Sequence, residues 1–266
     1  MRPDEFILAG DHPIWDGCVF AGLGQIIYSA HYQDSMAQLG FAGSHGLLTN
    51  MTPASAWQWD AELGRWATEF DYTTSPAIVI ANPTIRPFAG DGTFNVWVKP
   101  IASTSSRPLI GQGSTAKVNW WYVIVNADNT VHFSFDDNTT RLEWDTTLTV
   151  PDDIWSLVSV VKGASGFISY INGTPSGSGA ARGDCSSAED ITIGYDQFAG
   201  SNHYWWGGLS DVMLHNRAFT LPEIQLLASS DPMLGGAILA PHRPSPPSAG
   251  GTFPSTIQFP TISLVI

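Results

Sequence analysis

Residues 205–227 read Trp205-Trp206-Gly207-Gly208-Leu209-Ser210-Asp211-Val212-Met213-Leu214-His215-Asn216-Arg217-Ala218-Phe219-Thr220-Leu221-Pro222-Glu223-Ile224-Gln225-Leu226-Leu227, and this stretch decides the fold. Its first half predicts a β-strand, because Gly207 and Gly208 permit a bend or a close packing contact before an apolar run of strand length. Its second half predicts a short helix. A last strand followed by one small helix indicates an all-β domain that is closed at one end.

The predicted helix has a recognisable beginning. Thr220 and Glu223 have the spacing of a capping box, in which a hydroxyl and a carboxylate satisfy backbone donors of the first turn. Pro222 falls in that turn, where its missing N–H costs nothing. Apolar residues then recur at the spacing of one helix face, which we expect to pack on a sheet. They are Leu221, Ile224 and Leu227.

Upstream of this stretch, short segments with strand character follow one another at intervals of about 8–12 residues. In residues 94–99 Phe94, Val96 and Val98 alternate with other side chains, which predicts a strand. In residues 131–136 apolar and polar side chains alternate, which predicts a strand with one buried and one wet face. Residues 154–162 predict a longer buried strand, and Asn172-Gly173 is a strong signal of a hairpin turn. The sequence therefore predicts an all-β fold, a two-sheet antiparallel jelly-roll sandwich with one short C-terminal helix.

The two ends of the chain differ in composition from its middle. Residues 1–16 contain Pro3 and Pro13 and show no periodicity, and residues 231–266 form a Pro/Gly/Ser-rich tail that cannot fold alone. We therefore predict an N-terminal arm 1–16, a jelly roll 17–230 and a C-terminal arm 231–266. Apolar residues of these extended arms are candidate assembly contacts: Phe6, Ile7, Leu8, Pro241, Phe253, Phe259, Leu264 and Ile266.

The composition excludes several classes of function. The formal net charge is −13, and the 11 Lys and Arg residues form no basic stripe, so that we expect no nucleic-acid partner. No apolar run reaches the length that membrane insertion requires. Residues 1–8 carry acids where a secretory signal carries Lys or Arg, which predicts synthesis in a cytoplasm without export by that route.

Charge and cysteine content describe the surface and the redox state. Only 13% of the residues are charged, about half of the usual fraction, which favours a neutral surface that packs against other proteins. Cys18 and Cys185 are too few for a disulfide framework. We expect two free thiols, and a single bridge between them is the alternative.

With these segments in place, the chain resembles the laminin G-like branch of the concanavalin A-like lectin/glucanase superfamily. The resemblance covers about residues 14–230 and implies a two-sheet jelly roll. It is carried by an ordered series of motifs: a tryptophan strand at 94–100, a long apolar strand with Trp at its start at 155–161, the Asn172-Gly173 turn, an Ile-Gly strand at 191–194, and a Gly-x-x-Asp strand at 208–211 before Asn216-Arg217-Ala218 and a small helix. Residues 45–54 are similar to a segment of viral and bacterial members.

The resemblance also bears on calcium. Some relatives hold a structural calcium ion, and Asp71 and Asp211 match positions of their ligands. The family motif Phe-Asp-Gly-x-x-Asp-Tyr-Val corresponds to residues 70–77 here, which keep the first Asp but lack the Gly and the second Asp. Calcium takes about six to eight oxygen ligands. The sequence therefore requires no cofactor, and a structural calcium ion is an alternative to hydrogen-bonded strand ends.

Sugar binding needs exposed aromatic rings beside polar groups. Two aromatic runs supply candidates, Trp121 and Tyr122 in one and Trp205 and Trp206 in the other. Because neighbouring strand residues point to opposite faces, we expect one Trp of each run in the core. The other ring can serve as a platform for a surface glycan or pack against a neighbouring subunit.

A glycosidase on this fold would need two carboxylates about 5–5.5 Å apart for retention. The glucanase branch of the superfamily supplies them with Glu-x-Asp-x-Glu on one strand face. The nearest match here is Glu143-Trp144-Asp145-Thr146-Thr147, and Thr147 cannot protonate a leaving group. We therefore identify no catalytic residue and interpret the chain as non-enzymatic, with a divergent glycoside hydrolase as the third hypothesis.

The leading hypothesis is a non-enzymatic structural protein on the surface of a virus particle, of the bacteriophage kind. It rests on the low charged fraction, on the acidic N-terminus that lacks export features, and on a tail that needs a surface to lie on. The arms would attach the jelly roll to capsid or tail subunits, in a homo-oligomeric capsid decoration protein or a tail or fibre component. The alternative is a carbohydrate-binding lectin or host-adsorption module.

Overall fold

The computed structural model describes residues 6–8, 18–22, 35–36, 46–63, 65–81, 86–113, 119–196, 203–229 and 239–241. Within these ranges the secondary structure is almost all β, with two short α-helices, α1 (Pro53–Ala56) and α2 (Leu221–Ala228), and a 3₁₀ turn at Tyr72–Thr74. The described helices are too short to cross a membrane.

Eight antiparallel strands, numbered in chain order, form sheet I. In spatial order they are β12 (Arg141–Thr149), β11 (Thr130–Asp136), β10 (Trp120–Val125), β9 (Arg107–Gln112), β16 (Ile191–Ile193), β7 (Ala77–Ile80), β4 (Gly46–Thr49) and β3 (Ser35–Met36).

Sheet II is also antiparallel, and its central strands carry much of the core. In spatial order its strands are β15 (Thr174–Gly179), β14 (Gly166–Ile171), β13 (Ser156–Gly163), β8 (Gly92–Pro100), β17 (Gly207–His215), β6 (Arg65–Phe70) and β5 (Trp57–Asp60), and β2 (Cys18–Gly22) also pairs with β17. The prediction of a two-sheet antiparallel sandwich with one short C-terminal helix is confirmed.

The core between the two sheets is built largely from aromatic rings. The ring of Phe135 lies 4.3 Å from that of Phe167 and 5.0 Å from that of Phe88, measured between centroids. Trp121 packs at 5.0 Å from Phe88, and its indole N–H donates a hydrogen bond of 3.1 Å to the Gln112 side chain. These alternating inward-facing rings hold sheets I and II together.

Strand β17 is the strand predicted in the first half of residues 205–227, and it pairs with three other strands of sheet II. It pairs with β8 along its length, with β6 at Gly207–Leu209 and with β2 at 212–215. Between these two partners Asp211 adopts a φ of 50°, and the register with β8 shifts, which is the geometry of a β-bulge. Gly207 is required by contact, because a Cβ there would collide with the carbonyl oxygen of Lys99.

Helix α2 covers the outer face of sheet II. Ile224 is fully buried and Leu227 nearly so, in a cluster with Trp97 and Leu157. Leu221 is 40% exposed, so the predicted apolar face is correct at two of its three positions. Leu221 is the first residue of α2.

The capping box is confirmed, and it extends to an arginine. The Glu223 carboxylate accepts hydrogen bonds of 2.7 Å from the backbone N–H of Thr220 and of 2.9 Å from its hydroxyl, and it pairs with Arg217 at 2.7 Å. Although partial burial raises the pKa of Glu223, the bonds from Arg217 and Thr220 prevail and lower it to about 2.

This capping contact predicts an acid-sensitive contribution to stability. The folded pKa of Glu223 lies below the usual 4.5, so its contribution is complete above pH 4.5 and is lost as the pH falls toward 2. We expect Glu223→Gln to cost about 1–2 kcal/mol of unfolding free energy at pH 7 and almost nothing at pH 2. Urea unfolding of both proteins between pH 2 and 7 measures this difference. A cost that stays constant over this range would contradict the ionic cap.

The hairpin signal Asn172-Gly173 is also confirmed. These two residues connect β14 to β15, with φ angles of 50° and 76°. Both angles are positive, as a type I′ turn requires, and the Asn172 side chain accepts a hydrogen bond of 2.7 Å from the Leu157 N–H. Cys185 is a buried free thiol, in line with the expectation of free cysteines.

The two arms meet in a small sheet of their own. Strand β1 (Phe6–Leu8) pairs with β18 (Leu239–Pro241), with Phe6 opposite Pro241 and Leu8 opposite Leu239. The other predicted assembly residues, Phe253, Phe259, Leu264 and Ile266, lie outside the described residues. The domain boundaries at residues 16 and 230 stay a prediction.

Candidate ligand-binding groove

A single 3₁₀ turn after β6, Tyr72–Thr74, places an aromatic ring at the surface. Asp71 caps the turn by accepting hydrogen bonds from the Thr73 N–H (3.0 Å) and hydroxyl (2.7 Å), and these bonds lower the pKa of its carboxyl. Ser75 ends the turn in the left-handed conformation, and its carbonyl accepts a bond of 3.0 Å from the Asn50 side chain. Tyr72 is consequently held in place although it is 48% exposed.

The ring of Tyr72 contacts a tryptophan from the segment before β17. Its centroid lies 4.7 Å from that of Trp206, at an interplanar angle of 52°. Trp206 is half-buried, and its carbonyl oxygen accepts a hydrogen bond of 3.1 Å from the Ile101 N–H. The adjacent Trp205 points the other way, into the core between the sheets. Strand-like alternation at this position therefore turns one indole inward and the other toward solvent.

A second aromatic pair lies beside the first. Tyr195 and Tyr204 form an isolated β-bridge, and their rings stack at 5.0 Å with an interplanar angle of 23°. Burial, together with the neighbouring Tyr204 and Asp196, raises the pKa of Tyr195, so its phenol is a neutral donor at physiological pH. Aromatic surface with hydroxyl tips thus continues from Trp206 along this edge.

These rings border an open groove of about 640 Å³. The loop between β8 and β9 supplies hydroxyl groups, and the Ser103 hydroxyl both donates to and accepts from Ser105 at 3.1 Å. The lining residues are Tyr72, Ala102, Ser103, Thr104, Ser105, Ser106, Arg107, Asp152, His203, Tyr204 and Trp206. The groove combines flat apolar rings with a strip of small hydroxyl side chains.

The one arginine of this lining is a structural element. Arg107 is 1% exposed, and its guanidinium donates to the Asp152 carboxylate at 3.0 Å, to the Asn129 side chain and to the carbonyl oxygen of Ile101. These partners engage both terminal nitrogens and Asp152 neutralises the charge, whereas the buried Nε–H has no hydrogen-bond partner among the described residues. Among the described lining residues there is no lysine, so the groove presents no unpaired Lys or Arg to a ligand.

Residues 71–225, more than half of the chain, match the model of a laminin G family. That family is described as part of the concanavalin A-like lectin/glucanases superfamily. The chain belongs to this superfamily. The match begins at the cap of the Tyr72 turn and ends within α2, so that every lining residue of the groove lies inside the superfamily domain.

Solved structures confirm the superfamily fold. Domain 4 of AbnA, a GH43 extracellular arabinanase from Geobacillus stearothermophilus solved with arabinotriose, has a TM-score of 0.60 and 13% identity, over 80% of this chain and 100% of that one. The binding domain of Paraclostridial Mosquitocidal Protein 1 has a TM-score of 0.59 and 16% identity, over 80% of this chain and 52% of that one.

A botulinum neurotoxin type C structure, described by its dependence on two ganglioside molecules for cell entry, has a TM-score of 0.57 and 10% identity. The match covers 86% of this chain and 51% of the neurotoxin chain. This chain therefore spans about half the length of both toxin structures. A comparison with curated protein sequences gives no match.

Two of the four predicted sugar platforms need correction. Trp121 and Trp205 have no exposed surface, because both rings face the core between the sheets. Tyr122 lies on the outer face of sheet I, where its hydroxyl accepts a bond of 2.8 Å from Arg141. Trp206 lines the groove. The partly exposed Tyr122 and Trp206 therefore stay candidates, at two different places.

The two predicted calcium ligands do not meet. In the antiparallel pairing of β6 with β17, Phe70 lies opposite Gly207, so Asp71 lies opposite residue 206. Asp211 is five residues further along the chain from residue 206. At about 3.3 Å per residue this is roughly 16 Å, too far for one ion to bind both carboxylates. Asp211 is the bulge residue of β17, which explains its position without a metal. Within the described ranges no group of three or more His, Cys, Asp and Glu residues is placed to hold a metal ion.

The predicted carboxylate strand lies at the edge of sheet I. Glu143 and Asp145 project from the same face of β12, and the ring of His132 contacts both, at 3.3 Å and 2.9 Å. Thr147, at the third position of the motif, hydrogen-bonds to the Ser176 carbonyl oxygen. The carboxylates thus belong to a surface hydrogen-bond network, and the glycosidase hypothesis gains no catalytic group from this geometry.

Sequence reasoning missed most of the groove. Tyr72 was considered only as part of the calcium motif, and the Ser-rich loop 102–106 was not singled out. Part of the groove has a sequence signal, because Tyr204 and Trp206 both belong to the aromatic run 204–206. The missing information was that residues 72, 102–107 and 203–206 converge at one end of the sandwich.

Proposed function

We propose that this domain binds carbohydrate, without catalysis, in the groove at Tyr72, Tyr204 and Trp206. The observation that carries the proposal is the exposed aromatic surface beside a strip of hydroxyl groups in an open groove. The apolar C–H face of a sugar ring stacks on aromatic rings, and its hydroxyls exchange hydrogen bonds with small polar side chains.

The similar structures support the same class of ligand. One is a carbohydrate-enzyme domain in complex with arabinotriose, and another is a toxin described through ganglioside interaction. At such low sequence identity these structures show a shared fold and not a shared ligand. The proposal for this chain therefore rests on the residues of its own groove. Membership in a superfamily described by lectins and glucanases agrees with it.

The test compares two exposed tryptophans. We expect Trp206→Ala to reduce affinity for the best ligand of a glycan array at least tenfold, which is about 1.4 kcal/mol, because the largest ring of the stacking surface is lost. Trp59→Ala is the matched control, since Trp59 is 56% exposed on β5, outside the groove. Isothermal titration calorimetry measures both. Equal affinities for the two variants, or no glycan binding by the parent protein, would refute the proposal.

A second candidate function is attachment of this domain to a virus particle through its arms. It is supported by the pairing of Phe6–Leu8 with Leu239–Pro241, which brings both arms to one place. Two strands of three residues are too small to be stable alone, so a further surface is needed to cover them. We propose capsid or tail subunits, or further copies of this chain, as that surface, with the jelly roll displayed outward on the virion.

Removal of residues 231–266 tests this attachment. The truncated chain should keep the β-sandwich and its near-UV circular dichroism, and it should lose assembly with virion proteins or with itself in analytical ultracentrifugation. Unchanged assembly of the truncated chain would count against the attachment proposal and leave the glycan proposal untouched.

A further inference from the structure

A second groove lies beside the first, and neither the superfamily match nor the sequence motifs assign a role to it. Its volume is about 530 Å³, and it opens to solvent like the first. The lining residues are Asn50, Met51, Thr52, Ser55, Glu69, Asp71, Thr74 and Pro76. They come from the segment between β4 and α1, from α1, from the end of β6 and from the segment that follows β6.

The Tyr72 turn is a wall of both grooves. Tyr72 lines the first groove, whereas Asp71 and Thr74 line the second. A 3₁₀ turn of three residues is only about 6 Å long, so the two grooves are separated by little more than one ring. A chain of sugar units that stacks on Tyr72 in the first groove can therefore continue across the turn into the second.

The second groove offers hydrogen-bonding groups at its surface. The hydroxyls of Thr52 and Ser55 lie 2.9 Å apart, and both side chains are exposed. The Asp71 carboxylate, though engaged with Thr73, keeps free acceptor capacity because it is exposed. Paired hydroxyls and a carboxylate are groups that bind the vicinal hydroxyls of a sugar.

The charges of the second groove select against anionic ligands. Glu69 and Asp71 both lie in it, and hydrogen bonds from Thr73 lower the pKa of Asp71 and so favour its charged form. The nearby Lys99 is held by Asp60 at 3.4 Å and by Glu62 at 3.0 Å. Among the described lining residues of the two grooves, the only Lys or Arg is the enclosed Arg107. A carboxylate on the ligand would face these acids without a counter-charge.

We infer that the two grooves form one extended site for a neutral oligosaccharide, with stacking subsites at Tyr72 and Trp206 and hydrogen-bonding subsites at Thr52, Ser55 and Asp71. This inference rests on the proposed carbohydrate binding and adds the length and charge of the ligand. Each groove has the volume of a pocket for a whole small-molecule ligand, about 300–1,000 Å³, so that a single sugar fills neither.

The experiment measures affinity against chain length. The probes are arabinose to arabinohexaose and glucose to cellohexaose, titrated by calorimetry. For the series that binds, affinity should rise at least tenfold between the disaccharide and the tetrasaccharide. Ser55→Phe, which fills the second groove from the exposed face of α1, should abolish this gain and leave disaccharide affinity unchanged. Gln58→Phe, at an exposed position on β5, is the matched control.

The charge of the ligand is tested with a matched pair of trisaccharides. The neutral galactosyllactose should bind at least tenfold more tightly than 3′-sialyllactose, and Glu69→Gln should narrow that ratio. Affinity that is independent of chain length, or an equal effect of Ser55→Phe on short and long ligands, overturns the extended site alone. Tighter binding of sialyllactose overturns the neutral-ligand part. If no probe binds, both this inference and the proposed function fail.

Discussion

Replacing Arg107 by alanine is expected to lower the free energy of unfolding by about 3–5 kcal/mol. The guanidinium is almost completely buried and connects three separate segments, at Ile101, Asn129 and Asp152. Its loss leaves a carboxylate, a side-chain amide oxygen and a backbone carbonyl without this donor, and each polar group left unpaired in this partly buried site costs free energy. Arg107→Lys keeps the charge but not the planar fork, so we expect an intermediate loss.

Urea unfolding followed by tryptophan fluorescence measures the effect, with the m-value checked for constancy. Arg86→Ala is the matched control, because Arg86 pairs with Asp184 at the surface, where the two side chains are 43% and 34% exposed. We expect the control to lose less than about 1 kcal/mol. Equal losses for the two arginines would show that the buried network does not hold the loops. Since Ile101 belongs to the loop that lines the groove, Arg107→Ala should also weaken glycan binding.

Replacing Trp121 by alanine is expected to cost about 3–5 kcal/mol of stability while leaving the groove intact. The indole packs at 5.0 Å from Phe88 and 6.4 Å from Phe94, and it donates to Gln112. Alanine would open a large cavity between the sheets and leave the Gln112 side chain without its donor.

Trp121→Ala and Trp206→Ala therefore form a crossed pair. The first should shift the unfolding midpoint strongly and keep the ligand affinity of the folded fraction. The second should do the reverse, with a stability change below about 1 kcal/mol because Trp206 is partly exposed. Calorimetric titration and urea unfolding on both variants separate the two effects. A Trp121→Ala protein that unfolds like the parent would contradict the packing described here.

The strands of this fold are predictable because each carries its own local pattern. Alternation at Phe94, Val96 and Val98 and the Asn172-Gly173 turn specify strand and hairpin without reference to the rest of the chain. The capping box of α2 is equally local. Register and strand order depend on contacts between distant segments, and no local pattern encodes them.

The aromatic runs show the limit of such reasoning. Alternation predicts that Trp205 and Trp206 face opposite sides, and this is correct. Alternation does not tell which of the two faces inward, because that depends on the register in which β17 pairs with β8 and β6. A shift of that register by one residue would exchange the two faces. At residues 120–122 alternation again turns one indole outward, since Trp120 stacks on Tyr122 at 5.2 Å on the outer face of sheet I, but that ring is covered there and offers no exposed platform.

The groove itself could not be predicted from spacing. Its parts lie at residue 72, at 102–107 and at 203–206, and they meet only because β6, β8 and β17 are neighbours in sheet II. For the same reason spacing could not show that Asp71 and Asp211, which match a family pattern of calcium ligands, stand far apart in the observed register. Whether the chain binds calcium elsewhere stays a prediction.

The enclosure of Arg107 has a consequence for the conditions in which the groove can work. A binding surface that depends on exposed cations loses strength as the screening length falls, from about 10 Å at 0.1 M salt to about 3 Å at 1 M. Here the one arginine of the described lining, Arg107, is bound to Ile101 and Asp152 of the same chain and does not face a ligand. For the proposed sugar binding, whose contacts are ring stacking and hydroxyl hydrogen bonds, we expect the affinity for a neutral ligand to change little between about 0.1 M and about 1 M salt.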